Sequence, residues 1–373
     1  MKNYKIFVDA HIFDGEFQGT VTYVKELYLK VLFLDPNITL YFGANKLENI
    51  KEYFVNQPNV KYIQYSSRGS FERIFIEIPQ IINRLGCTHA HFQYVIPFVK
   101  NKNCKYIVTI HDILFNDFSN DFSFLYRLQR NILFFLSAKR SDYLLTVSDY
   151  SKQKIAKQFN IKANEIIITP NAVSDDYFQF KTAKEVSKKY ISDRYAVQKF
   201  ILYVSRIEPR KNQNLLVKAF AKEKLYEKGF SLVLIGDNTL HSGLFDDIND
   251  LKKEVKKSIY WFKKVTDLDL KNFLNAAEFF VYPSKAEGFG IPPLEAGALS
   301  TPVACSNTTA MADFDFFNPY FFDPNNYEEF VRIINQMAQN VKNIDLSAIQ
   351  STIKGKYSWE ESARIMLEKV ILA

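Results

Sequence analysis

The sequence predicts an α/β protein built as two Rossmann-like, doubly wound domains, and three observations carry that expectation. Short apolar, β-prone runs alternate with helix-length runs from Lys5 onward, the pattern of a mostly parallel sheet with helices on both faces. At 373 residues the chain is longer than one core usually supports, so two domains are expected. Finally, several strand-like runs end in a loop that feeds directly into a helix start, at Gly19, at His111 and over 283–293. In an open α/β sheet such junctions lie at the carboxyl ends of strands, where ligands bind.

Taken in order, KIFVDA is followed by a helix over 20–34, ITLYF by a helix over 46–54, and VKYIQY by a helix over 71–85. The strands THAHF and KYIVTI come next, then YLLTVSDYSKQKIAKQF and EIIITPNAV, with Ser148 placed as a helix N-cap. Strand periodicity weakens and charge rises over 171–198, which puts the interdomain linker there. Domains of 1–177 and 178–356 follow. The second series runs through FILYVSRIEPRKNQNLLVKAF, SLVLIGD and IYWFKKVTDLDLKNFLNAAEFFVYPS, and three amphipathic helices close the chain.

Composition narrows the function classes. Hydrophobic residues make up 47% and charged residues 24%, as in an ordinary globular protein. No apolar run reaches 18 residues and the N-terminus lacks a signal-peptide core, so a cytoplasmic location is expected. Cys87, Cys104 and Cys305 are scattered without metal or disulfide spacing. The net charge of +7 suits an anionic ligand or lipid surface, but no nucleic-acid-binding pattern accompanies it and no nucleic-acid partner is expected. The first strand is followed by DAHIFDGEFQGT, not by GxGxxG, which argues against a dinucleotide-dependent oxidoreductase.

The most informative stretch is FFVYPSKAEGFGIPPLEAGALSTPVA at 279–304. It reads as strand, glycine-rich loop and helix, a junction where backbone N–H groups and the helix dipole favour a phosphate. Glu287 and Glu295 bracket the loop. Alone, they read equally as a solvated loop residue and an ordinary helix residue. Arg206 and Lys211 flank a proline turn ahead of another helix and could both address a phosphate. His111 ends the strand KYIVTI, and Gly19 opens the first long helix; each has a purely structural reading as well. The run FSFLYRLQRNILFFLSAKRS between Asp121 and Asp142 reads either as a half-buried helix with snorkelling cations or as a membrane-surface helix.

The string EGFGIPPLEA, preceded by VYPS and followed by TPVA, closely resembles the donor-site signature of glycosyltransferase family 4, retaining enzymes of the GT-B fold. The R-x4-K after YVS, the phrase VTIHD and the SWE at the start of the last helix extend the resemblance over nearly the whole chain, strongest over 201–304. It implies that Glu287 holds the donor sugar, that the amides of Gly288, Phe289, Gly290 and Ile291 face sugar and diphosphate, and that Glu295 holds the ribose. It further implies a diphosphate clamp of Arg206 and Lys211, His111 beside the reacting sugar, and Gly19 near the donor phosphates. This copy has one clear glycine at that last loop where many members have two. By the same resemblance the two domains would face a cleft, and the last helix, 357–373, would cross back to the first domain.

By this resemblance the protein is a metal-independent, retaining hexosyltransferase. Its donor is a nucleotide sugar, GDP-mannose or a UDP-sugar, its acceptor a glycan or lipid-linked saccharide, and it has no cofactor or metal. A peripheral contact with the inner membrane surface is a further expectation. The DxD-like pairs Asp267 with Asp269 and Asp313 with Asp315 lie too far toward the C-terminus for the metal site of the other major glycosyltransferase fold. Two alternatives stay open: a nucleotide-sugar epimerase or phosphorylase on the same fold, and a non-catalytic donor-binding partner subunit.

Overall fold

The computed structural model describes residues 3–15, 19–67, 69–118, 121–238, 240, 242–339 and 344–373. The chain divides into two units, the first formed by Met1–Asn171 with Ser358–Ala373 and the second by Ala172–Tyr357. Among the described residues the first unit holds strands β1 (Lys5–Asp9), β2 (Thr39–Ala44), β3 (Val60–Gln64), β4 (His89–Gln93), β5 (Lys105–Thr109), β6 (Tyr143–Thr146) and β7 (Ile166–Ile168). They pair in the order β3-β2-β1-β4-β5-β6-β7. Every pairing is parallel. Central strands read as continuous apolar runs because both faces are covered: Ile6, Phe7 and Val8 are fully buried.

The second unit holds β8 (Phe200–Val204), β9 (Ser231–Ile235), β10 (Ile259–Phe262), β11 (Phe279–Tyr282), β12 (Val303–Ser306) and β13 (Phe321–Phe322). Their order is β10-β9-β8-β11-β12-β13, again parallel throughout. In both sheets the strand order reverses beside the first strand of the unit. That reversal splays the following loops apart and opens a place for ligands at the strand ends. In the second unit it lies between β8 and β11, the strands that carry Arg206 and Glu287 on their loops.

The boundary between the units, Asn171 to Ala172, falls inside the stretch 171–198. Beyond that boundary the stretch holds two helices, Asp175–Gln179 and Lys184–Tyr195. Their high charge is that of a solvated helix face, since Ser187 and Ile191 alone are buried in the longer helix. The helix expected over 46–54 is a single turn, Glu48–Lys51. The helix expected over 71–85 contains a π-helical stretch at Arg73–Glu77, where Arg73 is buried.

The C-terminal helix Trp359–Met366 packs on the helix Gly19–Leu34 and completes the first unit. Trp359 is 2% exposed, and its ring meets that of Tyr23 edge-on at 6.1 Å. Ser362 Oγ donates to the Pro170 carbonyl at 2.7 Å. The Trp359 Nε1–H is buried without an acceptor, so the indole contributes apolar contact and not a hydrogen bond. Trp359→Ala is therefore expected to destabilise the first unit by about 3–5 kcal/mol, whereas Trp359→Phe removes an unsatisfied donor and costs much less. Urea unfolding monitored by circular dichroism separates the two substitutions.

Candidate active site

In the second unit, β8 leads into a turn at Pro209–Lys211, and the neighbouring β11 leads into the loop carrying Glu287. Parallel neighbours deliver their following loops to the same edge, and the side chains meet there. Glu287, 6% exposed, places Oε1 at 2.6 Å from Lys211 Nζ and Oε2 at 3.2 Å from Arg210 Nη1. The Tyr282 hydroxyl is 3.0 Å from Lys211 Nζ and 2.9 Å from the same Glu287 oxygen. The Glu287 amide donates to Thr309 Oγ1 at 2.9 Å.

Two residues not singled out in the sequence complete the array. Glu208, 4% exposed, accepts Arg206 Nη2 and Arg210 Nη2, each at 3.0 Å. The result is a line of alternating charge: Arg206, Glu208, Arg210, Glu287, Lys211. Burial alone would push the Glu287 carboxyl up, but the charges of Lys211 and Arg210 overcome it and hold it at about 2. Burial also pulls Lys211 down to about 8, against the attraction of Glu287. At neutral pH both remain ionised.

Arg206 and Lys211, expected from the sequence as a matched pair, occupy different environments. The Arg206 side chain is 40% exposed and that of Lys211 7% exposed. Lys211 uses two of its three donors on Glu287 and Tyr282. It is the counter-ion that keeps Glu287 in place.

The loop between the glutamates is fixed by packing. Phe289 is buried against Phe314 and Tyr357, with ring centroids 6.0 and 5.4 Å away, so its side chain belongs to the core. Gly290 adopts φ +99, and a Cβ there would sit 3.0 Å from Met311 Cγ; the turn requires glycine. It caps the helix Ile291–Ala298. Because Pro292 and Pro293 lack N–H groups, the N–H groups at the helix entrance belong to Gly288, Phe289, Gly290 and Ile291.

Glu295 lies half-buried on that helix and hydrogen-bonds Tyr177. Its surroundings are the reverse of those of Glu287. Burial, with the charges of Asp176 and Asp267, raises it to about 7. Asp269 is structural: its carboxylate takes the Thr266 hydroxyl at 2.6 Å, the Tyr190 hydroxyl at 2.8 Å and Arg194 Nε at 3.3 Å.

The remaining sequence-selected residues lie in the first unit. His111, 6% exposed, has Nε2 at 2.7 Å from Gln93 Oε1, which fixes the Nε2–H tautomer and leaves Nδ1 as an acceptor. Gln93 Nε2 is 3.4 Å from Nε2 of His91, a ring held between the hydroxyls of Tyr28 and Thr109, both at 2.8 Å. Burial lowers both histidines to about 3, so they are neutral at physiological pH. Gln93 and His91 carry no motif; register brings them in, with Gln93 opposite Thr109 across β4 and β5. Gly19 is exposed, and a Cβ at that position would meet nothing within 4 Å, so the protein itself does not require glycine there. The loop residues 16–18 before it lie outside the described residues.

With this geometry in place, comparison with known proteins identifies the class. Residues 18–177 match the family described as Glycosyltransferase Family 4, and residues 188–348 match Glycosyl transferases group 1. The two matches lie one after the other along the chain, and both family descriptions are of glycosyltransferases. It is similar to O-antigen chain mannosyltransferase B of Escherichia coli, with 33% identity over 226 residues, 58% of this chain and 57% of the relative. It is likewise similar to the O-antigen chain mannosyltransferase RfbU of Salmonella typhimurium, with 31% identity over 225 residues, 60% of this chain and 56% of the relative. The matched region thus spans a little over half of each of these relatives. In structure it is similar to HepE of Anabaena, solved in complex with UDP-glucose, at TM-score 0.74 and 15% identity, covering 99% of this chain and 100% of that one. The two parallel-sheet domains are of the GT-B class.

Lys211→Met is expected to cost about 3–5 kcal/mol because it strips a buried carboxylate of its closest partner. In the double variant Lys211→Met/Glu287→Gln the loss should be smaller than the sum of the single losses, as read by denaturant unfolding. For Glu295 the sign is reversed. A carboxyl raised from 4.5 to about 7 weakens the folded state progressively as pH rises through that window, with the full penalty above it. Glu295→Gln is therefore expected to raise the melting temperature relative to the parent at pH 8 and to leave it nearly unchanged at pH 4.5.

Proposed function

We propose that the protein transfers a hexose, with mannose the first candidate, from a nucleoside diphosphate sugar to a glycan or lipid-linked saccharide, retaining anomeric configuration and using no metal. The observation that carries this reading is the array of alternating charge formed by Arg206, Glu208, Arg210, Glu287 and Lys211, buried except at its Arg206 end, beside a glycine-rich helix entrance. The names of the O-antigen mannosyltransferases similar to this chain favour mannose, and GDP-mannose is accordingly the first donor to test, ahead of UDP-sugars.

The chemistry follows from where charge develops. Cleaving the anomeric bond leaves negative charge on the departing diphosphate, and preorganised cations and amides stabilise it without reorganising. Arg206, the exposed end of the array, is assigned the outer phosphate contact. The remaining Lys211 donor and the amides of Gly288 to Ile291 are assigned the inner one. Glu287, acceptor-only and held at about 2, does not serve as a general acid near neutrality. Its role is to orient sugar hydroxyls and fix the cations. The acceptor hydroxyl attacks from the face the diphosphate leaves, and a departing phosphate oxygen takes its proton. Neutral His111, with Nδ1 as an acceptor, is assigned to orient a sugar hydroxyl. Glu295 is assigned the ribose.

Incubating the purified chain with GDP-mannose, UDP-glucose and UDP-galactose, each with a saccharide acceptor, tests the reading. Transfer from at least one donor, an axial product bond from an axial donor by NMR, and unchanged rates in excess EDTA are expected. Arg206→Ala is expected to weaken diphosphate binding by about 1.5–3 kcal/mol by calorimetry with a smaller drop in melting temperature than Lys211→Met, since the buried Glu208 keeps Arg210 as a partner. Loss of transfer in EDTA restored by manganese, or diphosphate affinity unchanged in Arg206→Ala, overturns the assignment.

A further inference from the structure

A second set of side chains in the first unit converges at the carboxyl end of β1. Asp9 closes that strand, at the reversal of strand order between β1 and β4, and is buried. Tyr65, directly after β3, donates its hydroxyl to Asp9 Oδ1 at 2.8 Å. To do so it crosses Gly43, which lies opposite Asp9 in β2. A Cβ on Gly43 would stand 2.4 Å from the Tyr65 hydroxyl, so the contact requires glycine. Arg73, also buried, places its guanidinium 5.9 Å from the Tyr65 ring centre. Its Nε has no acceptor, so what Arg73 gives Asp9 is charge. It belongs to the π-helical stretch Arg73–Glu77, and such irregular turns recur at functional sites. Glu77 secures the intervening loop by accepting the amides of Ser66 and Ser67 at 2.6 and 2.9 Å.

The other Asp9 oxygen faces His11. Nδ1 of that ring is 3.0 Å from Asp9 Oδ2. Burial alone would raise the Asp9 carboxyl, but His11, Arg73 and Tyr65 outweigh it and hold it below its ordinary value. Asp9 is therefore ionised and can only accept. The ring proton sits on Nδ1, and Nε2 keeps its lone pair. Burial of the pair is lopsided: the Asp9 side chain is 2% exposed and that of His11 30%. No described residue hydrogen-bonds Nε2. A firmly anchored carboxylate thus fixes one tautomer of a part-exposed ring, the pairing that turns an imidazole lone pair toward a hydroxyl.

We propose that His11 Nε2 accepts a hydrogen bond from a hydroxyl of the acceptor saccharide, with Asp9 as the positioning residue that fixes its tautomer. The inference rests on the saccharide acceptor of the proposed function and adds a side chain that reads it. Charge selects the ligand class. Asp9 and Arg73 offset each other, so the site offers no net charge to an ionic group, whereas the ring lone pair takes an O–H donor. His11 orients the sugar, and the departing phosphate oxygen remains the base.

The test is an NMR titration of the full chain, isotope-labelled at its histidines, with the methyl α-glycosides of mannose, galactose and N-acetylglucosamine. In the free protein His11 is expected to show a protonated Nδ1 and a bare Nε2, and the Nε2 signal should move on addition of at least one glycoside. His11→Phe keeps a ring and removes the lone pair. It should lower the affinity for that glycoside about five- to tenfold, with the His91 and His111 signals at their parent positions to show that the unit is folded. In Asp9→Asn the share of the Nδ1–H tautomer should fall, which loss of packing alone does not produce. An Nε2–H tautomer in the parent, an Nε2 signal unmoved by all three glycosides, or parent-like glycoside affinity in His11→Phe overturns the proposal. No sugar nucleotide is present, so a failed donor assay and a failed glycoside titration are separate results.

Discussion

The buried ion pair between Glu287 and Lys211 is the constraint on which the second unit's site depends. Taking either charge out of water alone would cost several kcal/mol, so each is tolerable only while the other is in place. Arg210 and Glu208 extend that dependence to Arg206 at the surface. The fold supplies the required precision by backbone contact. Gly236, at φ +149, passes so close to the Ser205 carbonyl that a Cβ would lie 2.0 Å from it, locking the loop after β9 against the one after β8. Gly290 makes a looser approach on the other side, to the Met311 side chain, where a Cβ would lie 3.0 Å from Cγ. Arg206 and Glu287 are thereby held on loops with little freedom to relax apart, as a preorganised electrostatic site requires.

The two units divide the chemistry by charge. The second offers three cations and two carboxylates in one line, suited to an anion whose charge increases during reaction. The first offers a neutral network in which Gln93 links His111 to His91, and Tyr28, Thr109 and Tyr23 supply hydroxyls. The Tyr23 hydroxyl reaches Thr169 Oγ1 at 2.6 Å and Thr109 Oγ1 at 3.3 Å. Burial costs the two histidines their basicity, so this network cannot answer to a phosphate as a cation; its capacity is to order neutral donors and acceptors such as sugar hydroxyls. The C-terminal helix matters here because Trp359 packs on Tyr23, one end of that network.

Much of the fold was legible because parallel, doubly covered strands write themselves as apolar runs separated by helix-length segments. The loops at their ends were legible because glycine and proline have few other reasons to cluster as they do in EGFGIPP. What sequence could not reveal was partnership. Arg206, Arg210 and Lys211 are equally basic in RIEPRK, and nothing local says that Lys211 is buried while Arg206 is exposed. Gln93 and Tyr177 acquire their roles from strand register and from the packing of a short helix, which no spacing encodes. The charged stretch 171–198 does contain the boundary between the units, but its two helices were not legible because exposed helices and linkers share a composition.

The two glutamates show what a spaced motif does encode. Their separation carries no chemistry by itself, since both are carboxylates seven intervening residues apart. The strand-to-helix turn between them sends the first toward the loop after β8, where it meets cations. It sends the second along the helix toward Asp267 and toward the segment that opens the second unit, where it meets Asp176 and the Tyr177 hydroxyl. One is held at about 2 and the other raised to about 7, because burial raises both and only Glu287 has cations beside it that overcome the rise. The ionised carboxylate suits a fixed acceptor that orients a ligand while anchoring cations. The half-protonated one suits a site completed by a ligand whose hydroxyls replace lost water. A change in either set of neighbours would leave the motif intact and alter its chemistry, so recognition of this string elsewhere should be checked against the residues that face it.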